Sequence, residues 1–205
     1  MSTATTPPIV REDDATPFVR AITTALRRSA GTPAGIELLS TLPAVVGVRS
    51  ASDFQRATIV SGASEIRVHR GLATDMDLIV DVDPATRRLV GSQDDVEPAA
   101  AAIAAVLQPE LPELPDVAAE FWELTKNLPG MPALKFVATD SGDQVLVGDS
   151  ARPYEIHGAA ADLRRILGGL ETFPDSLFAG KLTIIGTFRE WSVVTGASMK
   201  AVYDV

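Results

Sequence analysis

Apolar and polar positions along the chain change period several times, and each change predicts an element. After a polar opening stretch, Thr16-Pro17 starts a helix. Threonine can accept a hydrogen bond from a free N-terminal N–H, and proline suits the first helical position. Phe18, Ile22, Ala25 and Leu26 share one face, and Gly31 is placed to end the helix. The stretch "AGIELLSTLPAVVGVRSASDFQR" mixes a short amphipathic turn with a strand around Ala44–Val48. From Ser64 the period is two. Ile66 and Val68 alternate with Glu65, Arg67 and His69, and Leu78, Val80 and Val82 alternate with Ile79, Asp81 and Asp83. The pattern predicts two antiparallel strands joined across Gly71–Asp75, then a short helix over "PATRRLVG" from Pro84 to Gly91.

Residues 98–107, "PAAAAIAAVL", predict a helix by propensity alone. "QPELPELPD" spaces prolines so that no regular helix can form, and predicts an extended connector. A helix then opens at Asp116, with Val117, Phe121, Leu124 and Leu128 at helical spacing, and breaks at Pro129-Gly130. "ALKFVATD", the turn "SGD" and "QVLVGD" predict a hairpin. "RPYEIHG" predicts a strand with Tyr154 and Ile156 on one face. "AAADLRRILGGL" predicts a helix with Leu163, Ile166, Leu167 and Leu170 in one stripe. A loop, "ETFPDSLFAG", a strand, "KLTIIGTF", and a terminal helix, "REWSVVTGASMKAV", complete the chain. The expected organisation is a flexible tail (1–15), a first half (16–107), a Pro-rich connector (108–116) and a second half (117–205), the halves packed as one unit.

Composition narrows the partners. The 205 residues are enough for a substantial core, 46% are hydrophobic, and aromatics at 5% leave aliphatic side chains to fill it. A formal net charge of −9 disfavours nucleic acid and anionic membrane surfaces, because phosphate contacts need clustered Lys and Arg. With no cysteine there is no disulfide, thiolate nucleophile or Cys-ligated zinc. "MSTATTPPIVREDDATP" lacks the basic start and apolar run of a signal peptide, and no stretch has the length of a membrane span. The expected compartment is the cytoplasm. Arg far outnumbers Lys, as in a high-G+C bacterial genome.

Polar chemistry is sparse. Asp75, Asp77, Asp81 and Asp83 are close in sequence, but alternation sets Asp77, Asp81 and Asp83 on the solvated face of a strand rather than in a calcium loop. His69 and His157 sit near strand ends, where histidines are usually passive. No serine lies in a G-x-S-x-G elbow, and no glycine cluster forms a P-loop or dinucleotide fingerprint. Neither a metal nor a cofactor is expected. Tyr154, His157, Arg152 and Glu190 are the candidate polar groups for catalysis, and no catalytic residue is assigned among them.

Two stretches repeat. Residues 61–91 and 141–169 both read turn, strand, link, strand, "RR" with two aliphatics, and glycine, each with a helix upstream. The second of them leads into "YEIHGAAADLRRILGGLETFPDSLFAGKLTIIGTF". Ala161-Asp162-Leu163, Ile166-Leu167-Gly168, Phe178-Ala179-Gly180-Lys181-Leu182 and Ile184-Ile185-Gly186 occur here in an order and spacing that resemble the sterol carrier protein 2 (SCP2)-like family, best over residues 154–205. That resemblance implies an α/β (α+β) sandwich, a mostly antiparallel five-stranded sheet covered on one face by helices. Here it would be built from two repeated strand–strand–helix units. It also implies an apolar tunnel that holds a sterol, a fatty acyl chain or a polyketide-like molecule. Leu163, Ile166, Leu167 and Leu170 would form one wall, and Phe173, Leu177 and Phe178 a loop lid. Ile184, Phe188, Trp191, Val194 and Met199 would form the floor. The function implied is a carrier or accessory lipid-binding protein. The alternatives are an enzyme or enzyme subunit that uses the cavity as its substrate pocket, and an acidic adaptor that pairs as a homodimer.

Overall fold

The structure, a computed structural model, describes residues 7–91 and 97–204. It divides into two compact units, Met1–Glu110 and Leu111–Val205. In the first, β1 (Ile9–Arg11) is followed by α1 (Pro17–Ala30), α2 (Pro33–Ser40), β2 (Val45–Ser50), β3 (Arg56–Ser61), β4 (Ile66–Arg70), β5 (Leu78–Val82) and α3 (Pro98–Leu107). Local signals set α1: the Thr16 hydroxyl accepts from the Val19 N–H, Pro17 opens the helix, and the Gly31 N–H closes it on the Arg28 carbonyl. The sheet order is β1-β4-β3-β2-β5. β2, β3 and β4 are antiparallel neighbours, whereas β1 runs parallel to β4 and β5 parallel to β2. Val46, Val48, Ile59, Val68 and Val82 build its buried face. α1 packs on β1, β3 and β4, α3 packs on β5, and the Ser29 hydroxyl donates to the Val106 carbonyl at 2.7 Å to join the two helices.

Four expectations for this unit need correction. Ile9–Arg11 lies in the expected tail, yet it pairs with β4, with Ile9 buried and its carbonyl accepting from the Arg27 guanidinium; residues 1–6 lie outside the described residues. β3 carries no strong alternation and was not expected. β4 and β5 are not neighbours, because residues 71–77 cross the outer face of the sheet over Gly47. A Cβ on Gly47 would lie 2.5 Å from Met76 Sδ and 3.1 Å from Leu72 Cδ2, so glycine lets these side chains lie close on the strand where a larger residue would make them shift. Thr58 pins its start, donating to the Gly71 carbonyl and accepting from the Ala73 N–H. Finally, "ATRRLVG" is not a helix. The Asp83 carboxylate accepts from the Ala85 and Thr86 N–H groups and the Thr86 hydroxyl, Arg87 takes φ 58°, and Leu89 bridges back to Val82. The aspartate-led turn takes the N–H groups that a helix start would have offered.

The second unit holds α4 (Leu114–Thr125), β6 (Leu134–Ala138), β7 (Gln144–Val147), β8 (Tyr154–Gly158), α5 (Ala160–Leu167), α6 (Phe173–Phe178), β9 (Leu182–Ile185) and α7 (Phe188–Tyr203). Its sheet order is β7-β6-β8-β9, with β6 parallel to β8 and the other pairs antiparallel. The molecule is therefore α+β, with two mixed sheets of five and four strands in place of the mostly antiparallel five-stranded sheet expected. Period-two alternation sends Leu134, Phe136, Ala138, Tyr154, Ile156 and Leu182 to the core face, where α4, α5 and α7 cover them. The opposite face carries Lys135, Glu155 and His157 between the exposed Leu146 and Ile185. α4 opens at Leu114 rather than Asp116, and Leu111, whose carbonyl accepts from Arg164, already belongs to this unit. The connector is shorter than expected, because both of these leucines are buried.

Candidate functional site: an apolar slit behind the second helix layer

α5 is placed by contacts at both of its ends. Its own N-terminal residue Ala159 provides no cap, so the Asp140 carboxylate from the β6–β7 turn accepts from the Ala160 N–H at 2.9 Å. That hydrogen bond holds the Asp140 carboxyl below its ordinary range. At the other end the Gly168 N–H returns to the Arg164 carbonyl. Between them Leu163, Ile166 and Leu167 face the sheet, all nearly fully buried. The segment expected to be a loop folds as α6, capped by Thr172, whose hydroxyl accepts from the Asp175 N–H. The six-residue helix turns Phe173 inward and leaves Phe178 80% exposed. α7 begins with a capping box between Thr187 and Glu190, which holds the Glu190 carboxyl below its usual range.

These elements enclose a cavity of ≈10 Å³ lined by Phe121, Phe136, Ile156, Leu163, Ile166, Leu167, Phe173, Val194 and Ser198. Room of that size holds at most about one water molecule. Ser198 is its only polar side chain, fully buried, and its hydroxyl oxygen accepts from the Phe173 N–H at 2.7 Å. Of the residues expected to line a tunnel, Leu163, Ile166, Leu167, Phe173 and Val194 meet here. Leu170 is fully buried but outside the lining, and Leu177, Ile184 and Trp191 are half-buried against the same core. Met199 is half-buried. Phe178 and Phe188 do not reach the cavity; Phe188 is 79% exposed and stacks on Trp191 with centroids 5.1 Å apart. Phe121, Phe136, Ile156 and Ser198 were not expected in the lining. The helical spacing of Phe121 and the strand face that Ile156 shares with Tyr154 did mark these two as core-facing, whereas Phe136 carried no such signal in the reading of its hairpin.

A buried charge cluster fastens α5, α6 and the start of β9. Glu171 accepts from Arg165 Nε at 2.6 Å, from Lys181 Nζ at 2.7 Å and from the Ser176 hydroxyl at 3.1 Å. Burial pushes the Glu171 carboxyl up, but the hydrogen bonds from Lys181 and Arg165 together hold it below its ordinary value. Lys181 also lies 3.5 Å from Asp162. None of these charges lines the cavity.

The candidate catalytic groups are dispersed. Tyr154 lies on the core face with its hydroxyl buried and unpartnered, and burial, helped by the charge of Glu190, pushes that hydroxyl up to about 12. His157 Nε2 is 3.0 Å from Glu155, but both stand on the sheet face turned away from the cavity. Arg152 is exposed. In the first unit an open cleft of ≈430 Å³ carries Arg49, Arg56, Asp53, Phe54 and Asp81. Arg49 grips both oxygens of Asp81 there, so Asp81 is paired rather than simply solvated. Among the described residues no group of three or more His, Asp or Glu side chains converges to hold a metal ion, and no helix is long and apolar enough to cross a membrane. No protein-family model, curated protein or solved structure matches the chain.

Proposed function

We propose that the second unit is an SCP2-like module that binds an apolar molecule, a sterol, fatty acyl chain or polyketide-like compound, as a carrier or accessory lipid-binding protein. The observation that carries this reading is the slit itself: eight hydrocarbon-lined positions and one serine, between helix layer and sheet, five of them at residues to which the resemblance points. Such a lining selects by burial, at about 25 cal/mol per Å² of apolar surface removed from water. The slit as it stands has room for about one water molecule, so in this reading a ligand takes the place of the Phe173 ring, one of its lining residues, when α6 swings outward. Exposing a phenylalanine costs up to about 3 kcal/mol and each buried methylene returns about 0.8, so a chain of about four methylenes offsets the opening. Longer chains and fused rings bind with what remains.

The two units also share a plan, which supports reading them as a duplication. In each, a helix leads to a hairpin, β2–β3 or β6–β7, and a later strand lies parallel to the first, β8 directly and β5 after the additional strand β4. The enzyme reading rests on His157 with Glu155, and their place on the opposite sheet face makes it the weaker of the two. The test is native mass spectrometry and lipid extraction of protein purified from its own host. It is paired with titration of a Trp122→Phe variant by a sterol and a fatty alcohol while Trp191 emission is followed. A retained apolar molecule, or saturation at low micromolar ligand (about −8 kcal/mol), is expected. Protein that carries no apolar molecule and gives no Trp191 response to either probe overturns the proposal.

A further inference from the structure

Ser198 is the one place in the slit where a ligand could be held by anything other than burial. Its hydroxyl oxygen accepts from the Phe173 N–H, and its own proton has no acceptor among the described residues. No cation lines the slit: Arg165 is held by Glu171, Lys181 by Glu171 and Asp162, and Arg164 donates to the Leu111 carbonyl. An ionised carboxylate in the slit would therefore lie in an apolar cavity without a counter-charge, which is strongly unfavourable. A neutral oxygen would meet a waiting donor. If α6 moves, the Phe173 N–H leaves as well, and Ser198 becomes a buried hydroxyl with both its donor and its acceptor roles open. A ligand hydroxyl fills either role, as donor or as acceptor, a ketone or ester carbonyl fills the acceptor's place only, and a plain hydrocarbon fills neither.

From this geometry, and resting on the carrier reading above, we infer that the ligand is uncharged and carries a neutral oxygen, hydroxyl or carbonyl, seated on Ser198, with the rest of the molecule apolar. The residue is a specificity contact within the cavity, distinct from the hydrocarbon wall that supplies affinity. It also links recognition to opening, since the hydrogen bond that the ligand replaces is the one that holds Phe173 in place.

The experiment compares dodecanol, dodecane and dodecanoate on the full chain, by displacement of a fluorescent apolar probe at neutral pH. The alcohol-to-alkane ratio of Kd values is measured in the wild type and in Ser198→Ala, so that the different water solubilities of the two probes cancel. The expected result is a change of about tenfold in that ratio, with dodecane binding itself little altered. Ser198→Thr, which keeps the hydroxyl, retains the wild-type ratio. Ser198→Cys, a weak donor in the same place, loses most of it, and serves if the alanine variant loses its fold with the Phe173 N–H unpaired. Dodecanoate binds more weakly than dodecanol at neutral pH and approaches it as the carboxylate protonates. An unchanged ratio in both the Ala and Cys variants, or dodecanoate as the tightest probe at neutral pH, overturns the role of Ser198 and leaves the carrier reading standing. If none of the three probes binds the wild type, the carrier reading itself fails and this inference goes with it.

Discussion

Residues 87–91 read RRLVG and residues 164–168 read RRILG, yet the first is a turn and the second ends a helix. Val90 is 53% exposed where its counterpart Leu167 is 2% exposed. Arg87 sits in the left-handed region while Arg164 is helical. The letters alone do not make the difference. α5 has Leu163 three residues before Ile166 and four before Leu167, so one stripe can be buried against Phe136 and Ile156. The first segment has only the adjacent pair Leu89 and Val90, which point to different sides of any helix. A helix of one or two turns is unstable without such a stripe, because nucleation alone is unfavourable. Asp83 then decides the outcome by capping the turn.

The sharpest way to break this comparison is to put the same charge at both places. Leu167→Asp sets an unpaired carboxylate in the core and is expected to cost more than about 4 kcal/mol, enough to unfold the second unit in a thermal melt. Val90→Asp is expected to stay within about 0.5 kcal/mol of wild type. Melts with these two effects reversed, or equal, would show that the two stretches bury the same face after all.

What could be read from sequence follows the same division between local and distant causes. α1 was legible to the residue, since Thr16, Pro17 and Gly31 act on their own neighbours. Alternation gave the buried face of β4, β5 and β8 correctly, but it says which way a side chain points and nothing about which strand lies alongside. So β5 was set beside β4, although the crossing over Gly47 carries it to β2. α6 was taken for a loop although Thr172 and Pro174 are a helix start of the kind recognised at Thr16, because six residues give no period to detect. In the slit, Leu163, Ile166 and Leu167 came from a single helix stripe. Phe121, Phe136 and Ile156 arrive from three other elements, and only the topology brings them to one place. Phe178 and Phe188 were placed by the resemblance in the lid and the floor of a tunnel, and both face solvent.

The units differ next in where they keep their ion pairs. In the first, Arg49 and Asp81 meet at the surface with side chains 42% and 40% exposed. In the second, Glu171 is 3% exposed and holds Arg165 and Lys181. Glu171→Gln leaves two cations short of an acceptor and is expected to cost about 2 kcal/mol at neutral pH. Asp81→Asn should leave the melt midpoint within about two degrees, as solvent screens exposed pairs. The Glu171 carboxyl is held below its unfolded value of 4.5, so its contribution is complete above that pH and disappears as the pH falls through the folded value. The stability gap between wild type and Glu171→Gln should therefore be constant near neutrality and narrow below pH 4.5. A gap that does not change with acid would mean that Glu171 is not the ionised centre of the cluster.

The finest difference lies at the start of the strand that runs parallel to the first strand of each hairpin, β5 or β8. Leu78 pairs with Val46 in the first unit, and Tyr154 pairs with Leu134 at the matching place in the second. Tyrosine is the costlier choice there. Its ring crowds Gly186 so closely that a Cβ would lie 2.1 Å from Tyr154 Cδ2, and its hydroxyl reaches no partner. A buried hydroxyl without a hydrogen bond is a net loss, so Tyr154→Phe, which keeps the ring and removes the oxygen, should raise stability by up to about 1 kcal/mol. Denaturant melts at constant m-value read this directly. A loss of about 1 kcal/mol or more would mean that the hydroxyl is satisfied in solution, by a trapped water or by the Glu190 carboxylate whose charge it already senses. The two units would then differ at this position in hydrogen bonding as well as in packing.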